Sequence, residues 1–171
     1  TPVGMVVHTG DYKIDLTPVY DEKFDLHSFA RLGEQGVLLY MADSTNAERE
    51  GHSLSERVVG KTLEKLFIEN KERRMVVAAF ASNVDRMQEV MNLAEKYNRR
   101  VVLTGRSMVN VTDVATQIGE MKINKNNIIE VEKMKNFKDS EILILSTGSQ
   151  GEPNSALSRM ASGEFKGIEI G

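Results

Sequence analysis

Between residues 53 and 163, short apolar runs alternate with segments whose apolar residues repeat at helical spacing. A short aliphatic run predicts a buried strand, and a stripe at i, i+3 and i+4 predicts a helix packed by one face. Parallel strands need a long crossover, so the alternation predicts an α/β fold: an open, Rossmann-like parallel sheet with helices on both faces. The order of the strands does not follow from the pattern. The predicted strands are residues 75–80, 101–103, 128–131 and 141–145.

Start and stop signals predict where the intervening helices lie. Ser53 and Glu56 have the spacing of a capping box, which predicts a helix from residue 53. The other signals are Ser82 or Asn83 for a second helix, Ser107 for a third, and Pro153 with Gly163 for the start and stop of a last one. The side chains expected to face the core are Val59, Leu63, Leu66, Phe67, Met87, Val90, Met91, Ala94, Val111, Val114, Ala115, Ile118, Leu157 and Met160.

Residues 1–52 have a different pattern. Strands are predicted at residues 3–7, 12–15 and 37–41, the last of them buried, and no helix of normal length is predicted before it. A run of strands without helices does not fit the alternating α/β pattern that follows. We therefore expect the partners of these strands to lie outside the chain and some apolar surface to be exposed. The chain begins at Thr1 without an initiator methionine, as expected of an excised fragment.

Composition narrows the possible classes of function. The 171 residues carry 22 Lys and Arg against 25 Asp and Glu, a net charge of −3. Nucleic acid would therefore have to be bound by a local site, because no overall basic field attracts it. The absence of cysteine excludes disulfides and thiolate metal sites. No apolar run approaches the roughly 18 residues of a membrane span, so no membrane partner is expected.

Two carboxylates are candidates for catalysis. Asp43 follows the apolar run 37–41, and a carboxylate at the carboxyl end of a strand is held rigidly toward a crevice. An aspartate there also commonly caps the next turn. Asp11 follows Gly10, whose backbone freedom could direct a carboxylate into a site, with a simple turn as the alternative. The residue pattern leaves both interpretations open.

Three loops that follow predicted strands are rich in hydroxyls and glycine. In a parallel sheet they border one crevice, where helix N-termini present free N–H groups and a positive dipole end. Arg106 could add a fork of donors to a phosphate. The pattern fits a phosphate-binding edge or plain helix capping, and neither GxxxxGK[ST] nor GxGxxG is present. The candidate residues are Ser82, Arg106, Ser146, Thr147, Gly148, Ser149 and Gly151.

The remaining polar residues carry weaker signals. The histidines, His8, His27 and His52, lack a metal-ligand spacing such as HxH or HExxH. They are interpreted as solvated or cap-adjacent side chains. The run Glu48-Arg49-Glu50 is interpreted as solvated loop charge.

Five segments in one order resemble bacterial ribonuclease J, a member of the beta-CASP group of the metallo-β-lactamase superfamily. They are HTGDYKID, MADSTNAEREGHSLSER, FASNVDRMQEV, TGRSM and LSTGSQGEPNSALSRMA. The resemblance covers essentially the whole chain, and the shared order is far more specific than any single motif. It implies that residues 1–52 are a partial metallo-β-lactamase segment and that residues 53–171 are a beta-CASP domain.

The resemblance also implies roles for the candidate residues. Asp11 matches the aspartate that bridges two zinc ions, and Asp43 matches the acid that borders the metal centre and assists catalysis. The loops at Ser82, Arg106 and 146–151 are then placed to meet the RNA backbone. The implied activity is that of a zinc-dependent endonuclease and 5′-to-3′ exonuclease that favours a 5′ monophosphate. Such an enzyme is expected in the cytoplasm, as a dimer or tetramer, acting in mRNA decay and RNA maturation, including rRNA processing.

The chain departs from the family pattern at the metal centre. The HxHxDH motif and the later ligand histidines are absent from it. A hydrolytic dinuclear site needs several imidazoles and carboxylates to hold two metals and activate a water. We therefore expect zinc in the whole protein, whereas this chain alone is expected to bind no zinc tightly and to cleave nothing.

Two alternatives belong to other functional classes. A free-standing Rossmann-like module that binds a nucleotide or phosphate without catalysis would use the same crevice loops. An interaction domain that holds other subunits together would be marked by an exposed apolar patch.

Overall fold

The computed structural model describes residues 1–20 and 23–168, and all structural statements below concern that part of the chain. Two compact units are present, Thr1–Val59 and Gly60–Gly171, and each has its own parallel sheet. The sequence-based assignment of residues 1–52 and 53–171 to two domains remains a prediction.

The first unit contains a two-stranded sheet and a helix. Strand β1, Val6–His8, lies parallel to strand β2, Leu39–Met41. The strand predicted at residues 3–7 is therefore present but shifted toward the carboxyl end. Helix α1, Leu26–Gln35, lies between the two strands in the chain.

Helix α1 contradicts the prediction that no helix of normal length precedes the second strand. Asp25 caps it by accepting a hydrogen bond from the Ser28 N–H at 3.0 Å. The helix stops at Gly36, whose φ of +84° is a conformation that favours glycine. The signal was present in the sequence, since Leu26 and Phe29 stand at i and i+3 directly after the cap, and the many polar residues around them concealed it.

The strand predicted at residues 12–15 is wrong. The Tyr12 ring packs instead against Phe24, with 5.5 Å between ring centroids, and Phe24 packs against Phe29 at 5.2 Å. Of the alternating apolar residues, Tyr12 therefore belongs to a small aromatic cluster and Ile14 is exposed, so no pleated strand forms.

The prediction that residues 37–41 form a buried strand is also wrong in part. A strand is present, as β2, but Leu39, Tyr40 and Met41 are about half exposed. A pair of strands without a covering layer leaves its apolar side chains in solvent. That the missing partners belong to a longer protein remains a prediction.

The next helix, α2, Glu56–Glu69, begins three residues later than predicted. The capping box expected of Ser53 and Glu56 does not form. The Ser55 hydroxyl instead accepts from the Arg57 N–H at 3.2 Å, and the Asp15 carboxylate accepts from the Glu56 N–H at 2.8 Å. A residue distant in sequence supplies this second bond, so local spacing could not reveal it.

The second unit contains a three-stranded parallel sheet in the order β3-β5-β4. Its strands are β3, Met75–Ala78; β4, Arg100–Thr104; and β5, Ile142–Ser146. All five residues of β5 are buried, as expected of a central strand that is covered on both faces. The predicted α/β fold with a parallel sheet is thus confirmed.

Helices follow each strand of this sheet. They are α3, Val84–Lys96; α4, Arg106–Gln117; and α5, Ala156–Ala161. Three 3₁₀ turns, Lys125–Asn127, Val131–Asn136 and Asp139–Glu141, lead into β5.

Two apolar cores enclose the sheet. On one face, Leu143 and Leu145 of β5 pack with α2, α3 and α4, through side chains such as Phe67 and Met87. On the other face, Ile144 packs with α5 through Met160. The four helix-facing residues predicted for α3, Met87, Val90, Met91 and Ala94, are all buried, which confirms that stripe.

The predicted inward face of α4 is only partly correct. Ala115 is buried, but Val114 and Ile118 are 55% and 67% exposed. Met108 and Thr112 take their place, at i and i+4 from one another. The Thr112 hydroxyl donates to the Met108 carbonyl at 2.8 Å, which satisfies it within the helix and permits its burial.

Two further expectations were wrong in this unit. Residues 128–131 form no strand: Ile128 makes a single parallel bridge to Val101, and a 3₁₀ turn follows. Leu66, expected in the core, is 42% exposed on α2.

Among the described helices none is long and apolar enough to cross a membrane.

Candidate functional site

The two candidate carboxylates of the first unit lie at the same edge of its sheet. His8 ends β1 opposite Met41, which ends β2. The pairing continues for one more residue, because the Thr9 N–H donates to the Met41 carbonyl at 3.1 Å. Asp11 and Asp43 therefore follow adjacent parallel strands at their carboxyl ends. Asp11 is exposed and Asp43 is half-buried.

Hydrogen bonds from the backbone fix Asp43. Its carboxylate accepts from the Thr45 N–H at 2.9 Å and from the Thr45 hydroxyl at 2.7 Å. Together with weaker bonds from the N–H groups of Tyr12 and Ser44, these donors lower the pKa of Asp43 below its ordinary value of 3.8. The Asp43 N–H in turn donates to the Thr9 hydroxyl at 3.0 Å. The carboxylate is held ionised and stationary beside the Asp11 loop.

A polar network anchors the segment that follows Asp11. The Asp15 carboxylate accepts from the N–H groups of Glu56 and Thr17, and these two bonds, in that order, lower the pKa of Asp15. The Lys13 ammonium donates to the Leu54 carbonyl at 2.6 Å and to the Glu56 carboxylate at 2.8 Å. The sequence pattern had indicated Glu56 only as part of a capping box, and it had indicated none of these contacts.

The described residues do not fit a complete zinc site. No group of three or more His, Asp or Glu side chains gathers anywhere in residues 1–20 and 23–168 in a way that could hold a metal ion. Zinc sites in proteins use three or four protein ligands, and Asp11 would supply a single one.

In the second unit, the carboxyl ends of the three strands bring the predicted loops together. Ser146 ends the central strand, paired with Ala78 on one side and Thr104 on the other. The Ala79 N–H donates to the Ser146 carbonyl at 3.0 Å, and the Thr104 hydroxyl donates to the Leu145 carbonyl at 3.3 Å. The loops that carry Ser82, Arg106 and residues 147–151 therefore leave one edge of one sheet.

Two glycines let these loops pack closely. Gly105 has φ +98°, and a Cβ there would lie 2.6 Å from the Thr147 hydroxyl oxygen. Gly148 has φ +115°, and its Cβ would lie 2.5 Å from the Ser155 hydroxyl oxygen. Both the backbone conformation and the space require glycine at these positions.

The helix N-termini at this edge differ in how they are capped. Asn83 accepts from the Arg86 N–H at the start of α3, and Ser155 accepts from the Ser158 N–H at the start of α5. Helix α4 has Gly105 as its N-cap residue and no hydrogen bond from a capping side chain. Its N–H groups and positive dipole end are therefore the ones left for an outside acceptor. Arg106, the first residue of α4, is exposed beside them.

The loop after β5 is tied down by its own residues. Ser146 is fully buried, with its hydroxyl donating to the Thr147 carbonyl at 2.9 Å. The Thr147 hydroxyl accepts from the Ala156 N–H at 3.3 Å. The Glu152 carboxylate accepts from the Gln150 N–H at 3.0 Å, so this backbone N–H has a partner within the loop.

The candidate loop residues consequently differ in accessibility. Ser82, Ser149 and Gly151 are exposed, whereas Gly148 is buried and Thr147 is half-buried. The accessible face consists of the α4 start with Arg106, after the outer strand β4, together with the tips of the loops after β5 and β3.

Comparison with known proteins gives the family. Residues 72–171 match the family described as "Ribonuclease J, beta-CASP domain". The chain is 44% identical to Ribonuclease J of Synechocystis sp. over 99% of its length, which is 26% of that protein. It is 42% identical to Ribonuclease J of Mycolicibacterium smegmatis over 99% of the chain and 30% of the relative. It is 44% identical to Ribonuclease J of Thermus thermophilus over 94% of the chain and 28% of the relative.

The chain thus spans between a quarter and a third of the length of these relatives. The matched residues 72–171 include the whole three-stranded sheet and its carboxyl-edge loops. The chain belongs to the ribonuclease J beta-CASP domain family.

Proposed function

We propose that this chain binds single-stranded RNA along the carboxyl edge of its three-stranded sheet. The observation that carries the proposal is the uncapped N-terminus of α4 with Arg106 exposed beside it. Free N–H groups and a guanidinium are suited to phosphate oxygens, and an acidic chain needs such a local site. The names of the relatives support RNA as the polyanion.

The loops after β5 and β3 extend this face. The side chain of Ser82 and the backbone around Ser149 and Gly151 are exposed at the same sheet edge. In this proposal Ser146, Thr147 and Gly148 hold the loop in place from within, because they are buried or bonded to their own backbone. Ser82, Arg106, Ser149 and Gly151 are the groups that meet RNA directly.

For the whole protein we propose a ribonuclease, acting as endonuclease and as 5′-to-3′ exonuclease with preference for a 5′ monophosphate. Its setting would be the cytoplasm, in mRNA decay and RNA maturation, as a dimer or tetramer. The support is similarity to proteins named Ribonuclease J. Asp11 and Asp43 are proposed to border the reaction centre, because adjacent parallel strands present both at one edge. Zinc would be held by ligands of which this chain supplies Asp11 alone.

RNA binding is tested by the same substitution at the two ends of β4. Arg106→Gln removes the charge at the carboxyl edge, and Arg100→Gln removes one at the amino edge, where Arg100 bonds the Asn126 carbonyl at 3.0 Å. Affinity for a fluorescent, unstructured RNA is measured by anisotropy at two salt concentrations. Because Arg106→Gln loses one phosphate contact, its affinity for RNA is expected to fall by about fivefold to tenfold and to depend less on salt. The affinity of Arg100→Gln is expected to change little.

Equal loss of affinity in both variants would mean that any positive charge serves, and the edge would not be the binding face. A chain that binds free nucleotides as tightly as RNA would favour the phosphate-binding module instead.

A separate prediction concerns activity. Purified with zinc added, the chain alone is expected to leave labelled RNA intact, since its described residues form no three-ligand metal cluster. Gel analysis of a 5′-labelled RNA after incubation with and without a chelator checks this. Chelator-sensitive cleavage would contradict it.

A further inference from the structure

A polar concavity of about 350 Å³ lies in the loop that follows Asp43. Thr45 and Ser53 stand at its two ends in the chain, and Asn46, Arg49 and His52 contribute to its wall. All of these residues are exposed. The volume is that of a small-ligand site of a few hundred Å³, large enough for one nucleotide.

The wall of this concavity contains both basic and acidic side chains. Within the part of the chain that the structure describes, the Arg49 guanidinium makes no ion pair and the His52 imidazole makes no hydrogen bond. Glu50 also lines the concavity and opposes an anion there. A guanidinium that no described carboxylate pairs with is available to a phosphate.

The loop is shaped so that this wall stays in place. Asn46 has φ +62° and Gly51 has φ +97°, and the Arg49 N–H donates to the Asn46 carbonyl at 2.9 Å. The Thr45 hydroxyl and N–H are bonded to the Asp43 carboxylate. The concavity therefore begins at the residue that fixes Asp43, so an occupant would lie next to the candidate reaction edge.

The planar groups in the wall indicate which nucleic acid fits. An unstacked base packs on a histidine ring or an arginine plane, which a base inside a duplex cannot reach. The concavity is too small for more than about one nucleotide. These features favour single-stranded RNA over a duplex.

We propose that the concavity between Thr45 and Ser53 holds one nucleotide of single-stranded RNA, with Arg49 on its phosphate and His52 against its base. The inference rests on the proposed RNA-binding function and adds a second, separate contact region. It assigns a role to Arg49 and His52, which the sequence pattern had presented as solvated residues.

The test measures the affinity of the full 171-residue chain for an unstructured RNA and for a duplex of the same sequence. Arg49→Gln is expected to weaken single-strand binding by about fivefold to tenfold, and Arg49→Lys by less. His52→Ala is expected to weaken it and His52→Phe to preserve it, because both rings stack. Glu50→Gln is expected to strengthen it. Arg31→Gln, an exposed arginine on α1, serves as the matched control and is expected to change little.

The outcomes separate this inference from the proposed function. If Arg106→Gln weakens binding and Arg49→Gln behaves like Arg31→Gln, the sheet edge binds RNA and the concavity does not. If His52→Phe loses as much affinity as His52→Ala, the stacking role is wrong. A chain that binds no RNA overturns both proposals. Circular dichroism of each variant excludes loss of folding as the cause.

Discussion

At the scale of single residues, the site depends on glycines that bring loops together. Gly105 is in a conformation that L-residues rarely adopt, and it faces the Thr147 side chain across the loops after β4 and β5. The same residue is the N-cap of α4, so no side chain caps that N-terminus. Its missing side chain therefore has two effects: it lets the two loops touch, and it leaves the helix N–H groups open.

We expect Gly105→Ala to lower the free energy of unfolding by more than backbone strain alone, which is about 1–3 kcal/mol. The added Cβ would lie 2.6 Å from the Thr147 hydroxyl oxygen. Gly119→Ala is the matched control, because Gly119 has φ +85° with no atom within 4 Å of a Cβ. Urea denaturation of both variants checks the difference.

The same experiment with Thr147→Ala, alone and in the Gly105→Ala background, isolates the steric part. The Gly105→Ala change is expected to cost less unfolding free energy in the Thr147→Ala background than in the original chain. Equal costs for Gly105→Ala and Gly119→Ala would show that the contact with Thr147 contributes nothing.

At the scale of whole elements, sequence reasoning succeeded where two signals coincided. Helix α3 has both a cap at Asn83 and four apolar residues on one face, and strand β5 is a continuous aliphatic run, so both were predicted. It failed where burial depended on distant partners. The apolar residues of β2 were expected to be buried and are exposed. Thr112 was overlooked in α4 because its hydroxyl is satisfied inside the helix.

In the candidate site, too, some features could be predicted from the sequence and others could not. The three crevice loops could be predicted because parallel strands present their carboxyl ends at one edge. Which helix start stays uncapped could not, since a cap can come from a residue distant in sequence, as when the Asp15 carboxylate accepts from the Glu56 N–H. Hydrogen bonds between residues far apart in sequence cannot be inferred from the spacing of residue types.

The capping of α2 by Asp15 gives a prediction about pH. Hydrogen bonds from Glu56 and Thr17 lower the pKa of Asp15 below 3.8, so its ionised form stabilises the fold at pH values above 3.8. That contribution is lost as the pH falls through the lowered pKa of the folded state. Asp15→Asn is therefore expected to lower Tm by about 2–4 °C at pH 6.5 and by less at pH 2.5.

Thermal unfolding of both proteins, followed by circular dichroism at the two pH values, provides the comparison. An unchanged gap in Tm between pH 6.5 and pH 2.5 would mean that the charge of Asp15 has no part in capping α2.

At the scale of the whole molecule, the two units present two kinds of chemistry. The first carries the carboxylates Asp11 and Asp43, which follow the two paired strands of a small parallel sheet. The second carries the loops with hydroxyls, glycines and Arg106 at the edge of a larger one. Each arrangement follows from parallel strands ending together. The carboxylates are the candidates for the proposed reaction centre, and the loops are the candidates for the proposed RNA-binding face.

The central claim is that RNA lies along the carboxyl edge of the sheet β3-β5-β4. The most direct measurement is to titrate the ¹⁵N-labelled chain with an unstructured RNA and follow the backbone amide shifts by NMR. We expect the largest changes at residues 105–107, with further changes at 81–83 and 148–151. Changes concentrated at the opposite edge, around Asn98 to Arg100, or no changes at all at saturating RNA, would contradict it.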